Sequence, residues 1–405
     1  MNSHQIAAKL YSQTQKGKSY STIRLAILGV ALCMVVLILT FAIMTGFQNE
    51  IQNKVIGLGG HIEVHHYESN DSYQRTPIVD EARLRNAILA VDHVSHVQAI
   101  IDKAGIVKGE EHIEGAVFRG VGNDYDTTFF AQYMVEGACL QFDTAQVSNQ
   151  ILISETFSKK TGLRLGDAVN VYFVQNTVRM RKFTVSGIYN TGLAIYDKTY
   201  IICDIRQLVK INGWAADRVD ALEVFIDNFS KLDETTNAVN QEVDYDMEAV
   251  SVKEKNQEIF DWIDLVRQNV VVLVVLILII TAVTLISTQL TFTIEHIPTI
   301  GILKTIGCTN VQISQIFLWI SAKVLLRGMV IGDCVGLLIC FMQQQFSIIK
   351  LNPENYYVSC VPIDVQWLHL LLINVGILVV SFMFLVLPAY LVAKKVKVTN
   401  AVALK

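Results

Sequence analysis

Acidic residues are almost missing from both ends of this 405-residue sequence. None precedes Glu50, and of 37 in all only Glu295, Asp333, Glu354 and Asp364 follow Arg267. A chain charged evenly along its length is thereby excluded. No G-x-x-x-x-G-K-[ST] loop occurs, so if ATP drives this protein, another chain hydrolyses it. No H-E-x-x-H, no CxxC and no Cys–His cluster supports a metal site. His61, His65, His66 and His112 read as strand histidines facing solvent. No Ser/His/Asp or paired-carboxylate pattern stands out, so no catalytic residue is assigned. No basic patch interleaved with aromatics appears, which argues against nucleic acid. The seven cysteines are scattered. Cys33, Cys334 and Cys340 fall in apolar runs as packing residues. Cys139, Cys203 and Cys360 fall outside the cytoplasm in the topology below, and a disulfide between Cys139 and Cys203 stays open.

What the chain does have is apolar sequence. Hydrophobic residues make up 52%, and the mean hydropathy is +0.40. Four runs, Leu25 to Gln48, Gln268 to Thr293, about Ile316 to Phe341 and Val365 to Ala393, approach or exceed the roughly 20 apolar residues a spanning helix needs. The first is too long for a signal-peptide core of about 7–15 residues and is followed by no A-x-A site, so it reads as a retained span. Lys9, Lys16, Lys18 and Arg24 at one end, and Lys394, Lys395, Lys397 and Lys405 at the other, place both termini in the cytoplasm. Residues 1–20, with Ile6, Ala7 and Leu10 at helical spacing, read as a surface helix.

The first span continues as a stalk within 21–60. Phe47, Ile51, Val55 and Leu58 keep one apolar stripe, and Gly57, Gly59 and Gly60 stop it. The second stalk and span, 254–294, runs from Glu254 without a breaker. Rigid helices of this kind carry motion better than slack linkers. Between the stalks lies a large α+β outer domain, 61–253. Residues 61–124 and 218–253 carry strand–helix–strand patterns of a split α+β part, and 125–217 reads as a β-rich insert. In the insert, Ala168 to Val174 and Val178 to Val185 pair across Gln175, Asn176 and Thr177.

Thr293 to Leu318 is the short turn between the second and third spans, with 295–310 as its core. Ile297, Ile300, Ile302, Leu303 and Ile306 surround a short helix that Pro298 starts and Gly307 ends. On residues alone, a plain interfacial helix joining two spans and a docking element are equally good readings. Thr281, Thr284, Thr288 and Thr291 form a polar stripe that either packs and hydrogen-bonds against a neighbouring helix, the preferred reading, or lines a cavity. The third span, 311–345, carries Gly328, Gly332 and Gly336 as a close-packing face. It also carries Lys323, Arg327 and Asp333; a charge at mid-bilayer costs roughly 2.5–3.5 kcal/mol on insertion scales and usually faces protein or water. An outer loop, 346–365, leads to the fourth span, 366–393, whose one ionisable group is His369. The tail is 394–405.

Glu295 through Thr309, E-H-I-P-T-I-G-I-L-K-T-I-G-C-T, resembles the coupling segment of FtsX-like ABC permeases, E-x-x-x-x-I-G-I-L-K/R-x-x-G-A-S/T. Ile23 to Leu32 and Gly46 to Ile51 are similar to the first-span signature of the LolC/LolE lipoprotein-releasing branch. Ser186 to Gly192 followed by Tyr196 to Tyr200 is similar to the outer-domain motif V-G-x-F-x-T/S-G…Y-D. Pro388-Ala389 and Thr399 to Leu404 match the branch's tail loosely, with Thr399-Asn400 in place of the usual pair.

The resemblance implies four spans with a MacB-like periplasmic core domain in a cell inner membrane. Glu295, Ile300, Gly301, Ile302, Leu303, Lys304, Thr305, Gly307 and Thr309 would couple to a separate LolD-like ATPase that binds ATP and magnesium, this chain binding no cofactor itself. A second permease copy or paralogue, a lipoprotein substrate and a LolA-like periplasmic carrier complete the expected partners. LolC-type members grip the carrier with a longer, proline-bearing hook where this chain has only Gln175, Asn176 and Thr177. That leaves a LolE-like subunit, or a variant using another surface. A MacB-like exporter of peptides or toxins and an FtsX-like signalling scaffold share the architecture.

Overall fold

In hydrocarbon every backbone N–H and C=O must be satisfied within the segment, which makes an unbroken apolar run a helix. The computed structural model describes residues 19–69, 75–109, 112–142, 146–174, 178–352 and 356–395. Four helices among them are long and apolar enough to cross a membrane. They run Ser19–Gly59, Gln257–Glu295, Asn310–Phe346 and Trp367–Lys395. The first, with 41 residues, is about 60 Å long, twice the roughly 30 Å of a hydrocarbon core. The expected surface helix within 1–20 and the tail beyond 395 lie outside the described residues.

The chain folds as two units. One gathers Met1–Asn49, Trp262–Lys350 and Cys360–Lys405; the other is Glu50–Asp261 with Leu351–Ser359. In the helical unit the third helix lies against the first along its glycine row. A Cβ on Gly332 would come within 2.4 Å of the Met34 Cβ and 2.7 Å of the Ala31 carbonyl oxygen. On Gly328 it would meet the Val30 Cβ at 2.7 Å. Gly46, in the first-span signature, is equally confined: its Cβ would sit 2.4 Å from the Pro362 carbonyl oxygen. Asn49 donates to Asp364 there (2.7 Å).

Among the described residues the sheet unit has twelve strands: β1 (Ile62–His66), β2 (Ile78–Val79), β3 (Val94–Lys108), β4 (Ile113–Val121), β5 (Met134–Gly137), β6 (Gln150–Ser154), β7 (Ala168–Val174), β8 (Val178–Tyr189), β9 (Tyr200–Asp204), β10 (Arg218–Val219), β11 (Ala221–Ile226) and β12 (Met247–Ser251). Ten form one sheet in the order β12-β1-β11-β3-β4-β9-β6-β8-β5, with β7 pairing β3 and β8. The strands within 125–217 therefore extend the sheet instead of building a separate one. Two features cause this. β3 is 15 residues long and serves β11, β4 and β7 in turn. β9 adds parallel to β4. In the core Phe118 meets Phe173 edge-on at 5.1 Å and stacks on Phe183 at 5.7 Å between centroids, and Gly105 leaves room for the Phe118 and Phe173 rings.

Two expectations are corrected here, and one open question is answered. His112 is exposed as expected, but His61, just before β1, and His65 and His66 within it are half-buried. His61 lies beside Phe225 and Phe229, its Nδ1 accepts from the Ile226 N–H (3.2 Å), and burial pushes its pKa down to about 4. His65 is half-buried between Glu63 and Glu248. The Cys139–Cys203 disulfide is not formed: all seven cysteines are free, and Cys203 is fully buried in β9 between Gly120 and Ile151. The second stalk is not continuous either. A short helix, Val252–Lys255, ends at Asn256, whose ψ of 43° departs from helix, before the long helix starts at Gln257.

The sheet buries charge as well as apolar surface. Arg119 on β4 is 3% exposed. Its guanidinium donates to both carboxylate oxygens of Asp102 (2.9 and 2.8 Å), to Glu223 (3.0 Å) and to the Leu58 carbonyl in the last turn of the first helix. Burial pushes the Glu223 carboxyl up, with Arg119 pulling the other way. Burial alone would raise Glu63 too, but Lys255 and Arg75 hold it well below the carboxylate range. Asp220 is pushed up to about 7, chiefly by burial and then by Asp102.

Candidate functional site

The segment between the second and third long helices forms its own helix, Ile297–Thr305, with Pro298 in its first turn. Proline suits that turn because the N–H it lacks has no intrahelical acceptor. Gly307, at φ +95°, ends the segment: its N–H donates to the Lys304 carbonyl (3.0 Å), and that of Cys308 to the Leu303 carbonyl (3.0 Å). Thr309 then opens the third helix through a capping box with Gln312. Each bond satisfies a terminal group that would otherwise lack a partner.

The apolar residues of this segment divide into two sets. Ile300, at 0% exposed, joins Ile23 and Ala26 of the first helix and Ile313, Ile316, Phe317, Ile320 and Val324 of the third; Leu303 and Cys308 pack on the same cluster. Gly301 is buried and Lys304 is half-buried. The opposite face is open. Ile302 is 60% exposed and Ile306 76%, with Glu295, Thr305, Gly307 and Thr309 exposed beside them. Ile294 and Val311 are exposed nearby; the motif points to neither, because both fall outside its fixed positions. Burying one face fixes the segment against the bundle and leaves an apolar face for another surface.

The other predicted residues in the helical unit are distributed as follows. Lys323 is half-buried and Arg327 exposed. Asp333 accepts from Asn374 of the fourth helix (3.3 Å), an uncharged partner that the pattern of ionisable groups does not point to. The threonine stripe makes no bond across helices among the described residues. The hydroxyls of Thr281, Thr284, Thr288 and Thr291 donate to the carbonyls of Ile277, Ile280, Thr284 and Ser287 on their own helix, the usual i−4 back-bond of a threonine in a helix. Thr284 instead packs by its methyl, 3.1 Å from where a Cβ on Gly29 would lie. A polar contact to the third helix comes from Gln289, which accepts from Ser321 (3.3 Å).

In the sheet unit, Gln175, Asn176 and Thr177 lie outside the described residues. The strands beside them pair in register from Val174↔Val178 to Ala168↔Thr184. Val174, Val178 and Met180 stand exposed on that hairpin, while Arg179 and Arg181 are half-buried, Arg179 donating to the Lys210 and Ile211 carbonyls.

Four helices long and apolar enough to span a membrane, an α+β domain inserted after the first and a short apolar helix between the second and third are the arrangement to be compared with known proteins. The family description "MacB-like periplasmic core domain" matches residues 24–243, more than half the chain. "FtsX-like permease C-terminal" matches 271–397. The lipoprotein-releasing system transmembrane protein LolC of Xylella fastidiosa (strain Temecula1) is 22% identical over 386 residues, 91% of either chain. LolE of Haemophilus influenzae is 20% identical over 415 residues, covering 94% of this chain and 95% of that one. The solved periplasmic region of MacB from Actinobacillus actinomycetemcomitans covers 52% of this chain at 16% identity, with a TM-score of 0.35. The chain belongs to the family of FtsX-like ABC transporter permeases with a MacB-like core domain, and its resemblance is to the LolC/LolE branch.

Proposed function

We propose that this chain is the permease subunit of a lipoprotein-releasing ABC transporter of the inner membrane. Its termini and the 295–310 segment are cytoplasmic and its sheet unit periplasmic. A separate ATPase binds ATP and magnesium and docks on the segment. A second permease, a copy or a paralogue, completes the membrane part. Lipoproteins are lifted from the outer leaflet and passed to a periplasmic carrier. Withdrawing an acyl chain from lipid costs about 0.8 kcal/mol per CH₂, so release needs an external energy source. The exposed apolar side chains Val174, Val178 and Met180 of the β7–β8 hairpin are the surface best suited to the carrier.

One observation carries this reading: Ile302 and Ile306 are open while Ile300 and Leu303 of the same short segment are packed into the bundle. A docked engine can grip the outer face and move the first and third helices through the inner one. Ile302→Asp and Ile306→Asp should each lower the co-purifying ATPase more than about tenfold, a loss of roughly 1.4 kcal/mol or more. The variant chains should keep their own thermal stability, because neither side chain is in the core. Leu303→Asp should instead destabilise the chain. Unchanged ATPase recovery with both outer variants would contradict the docking assignment.

A further inference from the structure

The motif of residues 186–192 and 196–200 has no role in docking or in the carrier hairpin. In the structure its second half gathers the two stretches of chain by which the long helices enter the sheet unit. We propose that residues 191–200 form a clasp fastening the end of the first long helix to the start of the second. Both helices then act on the sheet together. The clasp rests on the transport reading above and deepens it.

On the side of the first helix the contact is Lys54, only 4% exposed. Its ammonium sits 3.2 Å from where a Cβ on Gly192 would be, at a glycine with φ +73°. A side chain at 192 would therefore be strained and would crowd the ammonium. Lys54 also lies over the Tyr133 ring at 5.6 Å and 3.5 Å from Glu50. The 191–192 backbone is held from below by buried Asp197, which accepts from the Thr191 hydroxyl (2.7 Å) and the Gly192 N–H (3.0 Å). Burial raises the Asp197 carboxyl, and the charge of Lys54 is among the groups that oppose this.

On the side of the second helix the contact is Asn256, the residue at which the stalk breaks. The Tyr196 hydroxyl donates to its Oδ1 (3.1 Å), while its Nδ2 donates to the Val252 carbonyl (3.1 Å). The Tyr196 ring stacks on Tyr200 at 5.4 Å, and the Arg119 guanidinium lies over Tyr200 at 4.8 Å. Arg119 itself holds the Leu58 carbonyl. Ten residues thus reach the first helix at Lys54, reach it again through Arg119 at Leu58, and reach the second at Asn256. Hydrogen bonds and a seated ammonium fix direction as well as distance, so they resist sliding that apolar packing alone tolerates.

The test uses the full chain with its ATPase in proteoliposomes and reads lipoprotein released per ATP hydrolysed. Tyr196→Phe and Asn256→Ala should each lower that ratio about three- to tenfold, the range expected for loss of one hydrogen bond of about 1 kcal/mol. Their double variant should be no worse than Asn256→Ala alone, since that change already removes the bond from Tyr196. Lys54→Met should lower it further. Assembly and the ATPase rate should stay within about twofold of wild type, which a merely structural role would not leave intact. Amide hydrogen exchange gives an independent readout: Asn256→Ala should speed exchange at Gly60 and His61, at the end of the other helix. Wild-type ratios in Tyr196→Phe and Lys54→Met, or unchanged exchange at Gly60 and His61, would overturn the clasp. A wild type that releases nothing would sink the transport reading instead, and exchange alone would then decide the clasp.

Discussion

Arg119→Ala is expected to destabilise the sheet unit by about 3–5 kcal/mol, the cost of breaking a buried ion pair from one side. The guanidinium is the shared partner of Asp102 and Glu223, both at most 2% exposed, and of the Leu58 carbonyl. Without it two carboxylates face each other in a dry interior and a helix-end carbonyl loses its donor. The unfolding midpoint of the detergent-solubilised chain should fall on the order of 10 °C. Arg119→Lys should recover only part of the loss, because a point charge cannot make the two parallel bonds to Asp102. Adding Glu223→Gln to Arg119→Ala should recover stability, since one of the stranded charges is then gone. If Arg119→Ala melts within about 2 °C of wild type, the network is not what holds the first helix to β4.

Gly332→Leu should do comparable harm to the helical unit. The atoms that a Cβ would meet there are the Met34 Cβ and the Ala31 carbonyl oxygen and Cα, which belong to the helix frame and cannot rotate away. Gly336 differs, because its nearest neighbour is the flexible Ile38 Cδ1 at 3.1 Å. Forcing a side chain into a packed seam costs about 1–3 kcal/mol, and here the first and third helices must separate to admit it. The monodisperse yield in detergent should fall about tenfold for Gly332→Leu and less than twofold for Gly336→Ala. Equal behaviour of the two variants would mean that the glycine row is not the helix seam.

The parts of this architecture that sequence exposes are those where one physical demand dominates. Lipid leaves no alternative to helix for Leu25 to Gln48 or Gln268 to Thr293. Alternation along Ala168 to Val174 and Val178 to Val185 declares a hairpin. What stays hidden depends on partners distant in the chain. The parallel pairing of β9 with β4 joins strands some eighty residues apart. Tyr200–Asp204 is too short to announce itself, and the helix after it shows only through the cap at Asp204. The break falls at Asn256, which accepts a hydrogen bond from a tyrosine sixty positions earlier. In the 295–310 segment, isoleucine and leucine occur on all sides, so periodicity cannot separate the inward Ile300 from the outward Ile302. In the threonine stripe the hydroxyls stay hidden for a related reason: a hydroxyl in a helix has its own i−4 carbonyl within reach, so Thr284 meets the first helix by its methyl and not by a hydrogen bond.

The most direct measurement is lipoprotein release in proteoliposomes holding this chain, its ATPase and a second permease, with carrier outside. ATP should move a triacylated lipoprotein into the soluble fraction bound to carrier. Ile302→Asp should abolish that transfer while leaving the lipoprotein in the bilayer. Transfer that proceeds without ATP, or at the wild-type rate with Ile302→Asp, would contradict an engine acting through the outer face of the 295–310 segment.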